Sequence, residues 1–110
     1  MTQSEIVSVI ETILSDIAQP GVPHDIEYQI ITDTAHHHYQ VVANGWRGMK
    51  RVFGIIVHID IKDELVWVQE DNTDYGVAEA LVRNGIPKER IVLGFHAPYK
   101  REYTGFATGE

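Results

Sequence analysis

Three consecutive histidines and a His-x-Asp pair are the residues of this 110-residue chain whose types and spacing could do chemistry. Alternate residues of a strand point to the same side, so the imidazoles of His36 and His38 could share a metal ion. His58 and Asp60 alternate in the same way and could complete a three-ligand set. A histidine run is also ordinary polar sequence at the start of a strand, so composition alone is weak evidence. We therefore expect no metal and no other cofactor, with metal binding as an alternative.

The same residues could instead form an acid–base pair, in which a carboxylate orients an imidazole. Side chains two apart on a strand project in parallel, whereas an orienting carboxylate must approach the ring from behind, so the spacing of His58 and Asp60 argues against this use. The sequence contains no nucleophile elbow, P-loop or Gly-x-Gly-x-x-Gly pattern. We expect a protein without catalytic residues. The alternative is a small metal-dependent or acid–base enzyme that uses His36, His38, His58 and Asp60.

The segment 94–110 has no clear periodicity but is rich in aromatic residues, namely Phe95, Tyr99, Tyr103 and Phe106. This concentration predicts a tail that docks on the rest of the protein. Lys100 and Arg101 lie among the aromatics, a pattern that can hold single-stranded nucleic acid, but two charges give too little affinity. Covering a sheet edge or pairing with an acidic helix is the expected use. Gly94 and Gly105 are predicted where an added side chain would clash.

The charge is unevenly distributed along the chain. The net charge is −7, and residues 1–46 contain six acidic residues and no lysine or arginine. Residues 47–110 contain nine basic and ten acidic residues. Nucleic-acid-binding proteins usually carry a basic footprint, so we expect no direct nucleic-acid binding by this chain alone. The candidates for such binding are Lys100, Arg101, Arg47, Lys50 and Arg51. An acidic half instead suits a basic protein partner.

Composition and length restrict the class of protein further. The sequence has no cysteine, which rules out disulfides, a thiol nucleophile and cysteine-ligated metal centres. No apolar run approaches the roughly 20 residues that span a bilayer, and the first residues lack the basic region of a signal peptide. The length predicts a single domain over residues 1–110. We expect a cytoplasmic protein that does not bind membranes.

The first element is predicted to be a helix. Thr2 and Glu5 have the spacing of a capping box, in which each side chain satisfies a free N–H group of the first turn. Isoleucine and leucine then recur at helical spacing and form one apolar stripe, made of Ile6, Ile10, Ile13, Leu14 and Ile17. The Pro-Gly-Val-Pro segment 20–23 is expected to stop this helix, because proline cannot donate a backbone hydrogen bond.

Four strand-like runs follow, covering residues 26–30, 38–42, 52–61 and 65–69. Asn44 and Gly45 predict a turn after the second run, and residues 62–64 predict one after the third. Strands this close along the chain pair as antiparallel hairpins, because a parallel crossover needs about a dozen residues or more. The sequence therefore predicts a four-stranded antiparallel meander.

A second helix is predicted over residues 77–82, capped by Thr73 or Asp74 and ended by the Asn-Gly-Ile-Pro segment 84–87. The apolar run 91–93 needs burial. The predicted fold class is α+β: an N-terminal helix, a four-stranded antiparallel meander, a second helix and a docked C-terminal tail, with the helices on one face of the sheet.

Several stretches of the chain resemble the XisI family. The most specific are in the last third, at 85–89, 91–96, 98–101 and 104–107. Earlier matching stretches are Asp33, 38–40, Gly45, Trp46, 57–63 and 66–69. The chain departs from the family pattern at Glu64, where a glycine is expected, so the turn at this position is predicted to be strained or longer. His36 and His37 also lie outside the pattern, which weakens the metal hypothesis.

The resemblance implies an accessory role in DNA excision. XisI-like proteins are described as controlling factors for excision of the fdxN element, a DNA segment removed by a separate recombinase. They are encoded beside XisH, which resembles a nuclease-fold protein. The family has no established catalytic residues, so none is carried over. We expect contact with a XisH-like protein, as regulator or inhibitor, through these partner-binding residues: His96, Pro98, Tyr99, Arg101, Tyr103 and Thr104.

A homodimer is also expected. A sheet with helices on one face leaves its other face partly apolar, and Ile56 is predicted to lie there. Such a face often meets a second copy of the same protein, because closed two-fold dimers are the commonest oligomers.

Overall fold

The computed structural model describes residues 1–19 and 25–110, so the predicted helix stop at 20–23 lies outside the described residues. The elements are α1 (Gln3–Ile17), β1 (Ile26–Asp33), β2 (His38–Arg47), β3 (Lys50–Lys62), β4 (Leu65–Asp71), α2 (Val77–Arg83), a 3₁₀ turn (Lys88–Arg90), β5 (Ile91–Leu93) and α3 (Pro98–Arg101). The strands form one sheet in the order β1-β2-β3-β4-β5. The protein is thus α+β, as predicted. None of the described helices is long and apolar enough to cross a membrane.

Helix α1 begins and packs as its sequence predicts. The Thr2 hydroxyl accepts a hydrogen bond from the Glu5 backbone N–H at 3.2 Å, and the Glu5 carboxylate accepts one from the Thr2 backbone N–H at 2.9 Å. Four residues of the apolar stripe are buried, namely Ile6, Ile10, Ile13 and Leu14. They share one core with β2, β3, β4 and α2, so α1 and α2 cover the same face of the sheet.

The predicted four-stranded meander is close to the observed sheet but incomplete. Strands β1 to β4 pair antiparallel in sequence order. The apolar run 91–93 forms a fifth strand, β5, which pairs parallel to β4. Helix α2 lies between β4 and β5 in the chain and supplies the crossover that a parallel pair needs. Three residues are too few to show the periodicity of a strand, which is why the sequence did not identify β5.

The predicted turn at Asn44 and Gly45 is wrong. Strand β2 continues to Arg47, which pairs with Lys50, so residues 48 and 49 form the turn. An added Cβ at Gly45 would clash with the backbone carbonyl of Asp25 on the neighbouring strand. Gly45 therefore permits close approach of two backbones, and the positive φ of 61° that the turn requires falls at Gly48.

The predicted cap of α2 is also wrong. Neither Thr73 nor Asp74 caps this helix; the Asp71 carboxylate accepts a hydrogen bond from the Val77 backbone N–H at 2.9 Å. Asp71 is the last residue of β4 and lies six positions before Val77. A capping box joins residues three positions apart, so its spacing does not predict this contact. The predicted end of α2 is confirmed, because Gly85 has a φ of 100° directly after the last turn.

Part of the C-terminal segment docks on the sheet face opposite α1 and α2, whereas Phe106 packs against the core on the side of α2. Trp67 alternates with two buried core residues of β4, Val66 and Val68, so its ring points away from the helices. The Arg101 guanidinium lies 5.2 Å from the Trp67 ring centroid. Ala107 then forms a parallel bridge with Val92 and covers the outer edge of β5. The prediction that helices occupy one face holds for α1 and α2 but not for the short α3.

The two glycines singled out in this segment have different roles. An added Cβ at Gly94 would meet the Gln69 amide and the Trp67 ring, so the predicted clash is confirmed. At Gly105 nothing lies within 4 Å of an added Cβ, and the predicted clash is wrong. Gly105 is favoured there by its φ of 84°, which L side chains rarely adopt.

Candidate functional site

The three consecutive histidines point to three different environments. Strand β2 begins at His38, so His36 lies in the preceding turn. Its Nδ1 atom is 2.9 Å from Oδ2 of Asp33. His37 has a positive φ of 61°, and its ring contacts the Tyr39 hydroxyl at 2.9 Å. The prediction that His36 and His38 share one side of a strand is therefore wrong.

His38, His58 and Asp60 form a polar cluster on the outer face of the sheet, away from α1 and α2. Asp60 is the cross-strand partner of His38 in the register of β2 and β3. Oδ1 of Asp60 lies 2.7 Å from Nδ1 of His38 and 2.7 Å from Nε2 of His58. The ring centroids of the two histidines are 6.1 Å apart. One carboxylate oxygen therefore accepts hydrogen bonds from two imidazoles on neighbouring strands.

The spacing argument against an orienting contact between His58 and Asp60 does not hold, because the two side chains are hydrogen-bonded. The Cα–Cβ bonds of the two residues are parallel, and their Cβ atoms are about 7 Å apart because the residues occupy alternate positions of one strand. The imidazole and the carboxylate are long enough to close this gap by leaning towards each other. Side-chain exposure is 22% for His58 and 19% for Asp60, against 54% for His38, so the cluster has a shielded part and an open part.

Two glutamines that the sequence analysis did not single out support the cluster. The Gln40 amide nitrogen donates to Nδ1 of His58 at 2.8 Å, and the Gln69 amide nitrogen donates to Oδ2 of Asp60 at 3.3 Å. Gln40 alternates with His38 and could have been inferred from strand periodicity. Gln69 occupies a register shift between β3 and β4 that leaves it without a paired residue in β3, and no sequence signal marks this bulge.

The electrostatics of the cluster keep Asp60 ionised. Burial raises the pKa of Asp60, but the hydrogen bonds from His38, His58 and Gln69 and the Coulombic interaction with His58 together hold it below its ordinary value. A depression of about 320 Å³ opens over the cluster and is also lined by Ile31. A carboxylate flanked by two imidazoles in such a depression can bind a cation or exchange protons with a ligand.

The C-terminal segment forms a second exposed feature. Tyr99 and Tyr103 are 71% and 82% exposed, and Phe95, which was not singled out as a binding residue, is 49% exposed. The Phe95 ring packs on His96 with centroids 4.7 Å apart. These side chains lie on and around α3, beside the buried Trp67. Pro98, the first residue of α3, is also exposed.

Two of the predicted partner-binding residues hold the C-terminal segment together. The Arg101 guanidinium donates to the backbone carbonyls of His96, Gly94 and Thr108 at 3.1, 3.4 and 3.5 Å. The Thr104 hydroxyl donates to the Arg101 carbonyl at 2.8 Å. Both side chains are only partly exposed. Their contacts hold the segment in one conformation.

The basic residues considered for nucleic-acid binding fall in two separate places. Arg47, Lys50 and Arg51 lie at the turn of the β2–β3 hairpin, whereas Lys100 and Arg101 lie in α3, where Arg101 packs on the Trp67 ring. Trp67 pairs with Asp60, ten residues along β3 from Lys50, a separation of roughly 30 Å in a strand. Arg51 is in addition held between aromatic rings, 5.4 Å from Trp46 and 5.1 Å from Phe53. The described residues therefore form no continuous basic surface from these candidates.

The fold and the two features define a class of small α+β protein in which one sheet face carries the hydrophobic core and the other carries a polar cluster and an aromatic segment. The family model described as XisI protein matches residues 2–108. The chain therefore belongs to the XisI family.

Two solved structures support this assignment. A XisI-like protein from Anabaena variabilis ATCC 29413 is 42% identical, with a TM-score of 0.82, and the match covers 93% of this chain and 97% of that chain. The fdxN element excision controlling factor XisI from the same organism is 31% identical, with a TM-score of 0.75, and the match covers 96% of this chain and 94% of that chain. Among curated proteins, none matches this chain significantly.

Proposed function

We propose that this protein is a non-catalytic controlling factor that acts in DNA-element excision by binding a XisH-like partner with a nuclease fold. Membership of the XisI family supports the controlling role, because a solved relative bears the name fdxN element excision controlling factor. The observation that carries the partner-binding proposal is the set of exposed aromatic side chains on a fixed C-terminal segment.

Exposed aromatic side chains on a rigid segment suit protein binding. Tyrosine and phenylalanine are enriched at interfaces, and tyrosine is also enriched among the residues that dominate binding energy. Tyr99 and Tyr103 keep most of their surface exposed, although Trp67 beneath the same segment is 9% exposed. Arg101 and Thr104 hold the backbone in place before binding, which lowers the ordering cost of association.

The acidic surface of α1 has a separate role in this proposal. Glu5, Glu11 and Asp16 are exposed, and α1 covers the sheet face opposite the C-terminal segment. One compact partner that contacts Tyr99 therefore does not contact these acids at the same time. Their contribution is long-range steering of a basic partner, which raises the association rate at low salt.

Co-expression with the chromosomal neighbour encoding a XisH-like protein tests the proposal. We expect the two proteins to co-elute at a fixed ratio, and replacement of Tyr99 and Tyr103 by serine to weaken the complex at least tenfold, since interface aromatics often contribute more than about 1 kcal/mol each. Phe53→Ser is the matched control, because Phe53 is 65% exposed on the distant β2–β3 hairpin. Separate elution of the wild-type proteins, or equal weakening by Phe53→Ser, would contradict the proposal.

We further propose that two copies of the chain associate through β1. This strand is at the end of the sheet, and no described residue pairs with its outer edge. Ile30 and Ile31 are 43% and 50% exposed there and point to opposite faces. The residue expected from the sequence, Ile56, is partly buried against the core, so it does not supply an exposed apolar face. The register shift at Val41 and Val42 explains this, since it leaves Ile56 unpaired and reverses the alternation of β3.

A further inference from the structure

We infer that His38, His58 and Asp60 form a binding site for one divalent transition-metal ion of the zinc type. Each residue offers one ligand atom, and the three atoms lie within 4.8 Å of one another. Two imidazoles and one carboxylate are a ligand set that suits zinc and iron, and magnesium and calcium prefer oxygen ligands alone. This inference does not depend on the proposed partner binding, because the cluster and the exposed tyrosines use different residues.

The positions of the ligand atoms are close to those that an ion requires. Zinc binds nitrogen and oxygen ligands at about 2.0–2.2 Å, so ligand atoms on a tetrahedral ion are roughly 3.3 Å apart. Asp60 Oδ1 is 2.7 Å from each of the two histidine nitrogens, as expected for hydrogen bonds. Each of these two contacts would open by about 0.6 Å on binding, and the two histidine nitrogens, which lie within 4.8 Å of each other, would adopt the same separation of roughly 3.3 Å. Rotation of His38 supplies this movement, because its side chain is 54% exposed.

The protons and hydrogen bonds of the cluster can be rearranged without leaving a group unsatisfied. Binding through His58 Nε2 and His38 Nδ1 moves the proton of each ring to its other nitrogen. In His58 this is Nδ1, which accepts from the Gln40 amide in the free cluster. A rotation of that amide presents its oxygen to the new N–H group. Gln69 continues to donate to Oδ2 of Asp60 and leaves Oδ1 free for the ion. The glutamines thus act as the outer hydrogen-bonding groups that orient metal ligands in proteins.

The surroundings of the site leave room for a further ligand on the ion. The depression over the cluster has a volume of about 320 Å³ and is open to solvent. A tetrahedral zinc ion has four coordination positions, and the three protein ligands fill three of them. A water molecule or an anionic group would occupy the fourth. This arrangement differs from a closed structural zinc site, in which four side chains surround the ion.

Calorimetric titration of the untagged protein with Zn²⁺ tests the inference. We expect one ion per chain for wild type, and a loss of at least 100-fold in affinity for His38→Ala and for Asp60→Asn. His36→Ala is the matched control, because His36 is the same residue type two positions away and contacts Asp33 instead. Its affinity should stay within twofold of wild type, and a hundredfold excess of Mg²⁺ should not displace Zn²⁺.

Substitutions at Gln40 distinguish an ion site from a cluster that serves only stability. Gln40→Leu should weaken Zn²⁺ binding roughly 10-fold or more, whereas Gln40→Glu should strengthen it, because a carboxylate is a better acceptor for the His58 N–H group. Zn²⁺ should also raise the Tm of wild type and His36→Ala but not of His38→Ala, with circular dichroism showing that each variant is folded. Binding below half an ion per chain, or equal affinity of the His36 and His38 variants, would overturn the inference.

Discussion

At the scale of single residues, the hairpin between β3 and β4 contains conformational strain. Asp63 and Glu64 have positive φ angles of 54° and 64°, as the two-residue turn of a tight hairpin requires. Glu64 lies where glycine was expected from the sequence, and a left-handed conformation costs a non-glycine residue roughly 1–2 kcal/mol. The Arg90 guanidinium donates to the Glu64 carbonyl at 2.9 and 3.1 Å, which holds the strained residue in place.

Glu64→Gly should therefore stabilise the protein. Relief of the strain exceeds the entropy that glycine adds to the unfolded chain, about 0.4–1 kcal/mol, so we expect a net gain of roughly 0.5–1 kcal/mol in the free energy of unfolding. The contact with Arg90 uses the backbone carbonyl and is unaffected. Urea denaturation monitored by circular dichroism measures the change, with an unaltered dependence on urea concentration as the two-state check.

A second exposed glutamate provides the control for this prediction. Glu89 lies in the 3₁₀ turn and does not have a positive φ angle. Glu89→Gly should lower stability by roughly 0.5–1 kcal/mol, because glycine adds flexibility without relieving strain. Destabilisation of both variants would show that Glu64 is not strained.

At the scale of secondary-structure elements, the C-terminal segment depends on one side chain. Arg101 contacts three backbone carbonyls and the Trp67 ring, and so connects both ends of the segment to the sheet. Lys100, its neighbour, is exposed and lies 5.9 Å from the centroid of the Tyr99 ring. The two adjacent basic residues are therefore expected to contribute unequally to docking.

Arg101→Ala should loosen the C-terminal segment without unfolding the core. Hydrogen bonds from charged groups contribute about 1.5–3 kcal/mol in favourable cases, and the longer contacts here suggest roughly 1–2 kcal/mol. Hydrogen exchange should accelerate at the Gly94 and Ala107 amides, which donate to the Val68 and Ile91 carbonyls. Lys100→Ala should leave this exchange unchanged. Slow exchange in both variants would mean that Trp67 and the β5 bridge hold the segment without Arg101.

Elements with local signals could be predicted from sequence, and those that depend on long-range geometry could not. The capping box and apolar stripe of α1 lie within one helix, so spacing identified both. Strand β5 has three residues and is defined by its pairing with β4. The role of Gly45 depends on the close approach of the backbone at the start of β1. Local pattern cannot reveal either contact.

The candidate site shows the same limit. Strand alternation correctly placed His58 and Asp60 on one face, but the contact of both with His38 requires the register of β2 and β3. His36 was included because strand alternation was extended two residues before the predicted start of the strand at His38, into what is a turn. Gln69 contributes through a bulge, which changes the direction of a side chain without a sequence signal.

At the scale of the whole molecule, the proposed homodimer predicts a change in mass when β1 is altered. Ile30→Lys places a charge at the exposed edge, a substitution that discourages strand pairing. We expect wild type to elute as a dimer and Ile30→Lys as a monomer in sizing chromatography with light-scattering detection. Ile55→Lys is the control, because Ile55 is 45% exposed, against 43% for Ile30, but belongs to the central strand β3. Monomeric wild type, or a monomeric Ile55 variant, would contradict pairing through β1.

The bridge between Ala107 and Val92 limits how far such association can proceed. Because Ala107 occupies the outer edge of β5, the edge that remains open among the described strands is that of β1. Two copies joined edge to edge by a two-fold axis would then present a covered β5 at each end of a ten-stranded sheet, formed from the five strands of each chain. The bridge at Ala107 would then prevent further chains from pairing with β5, so the assembly would stop at two subunits and would not extend into a fibre.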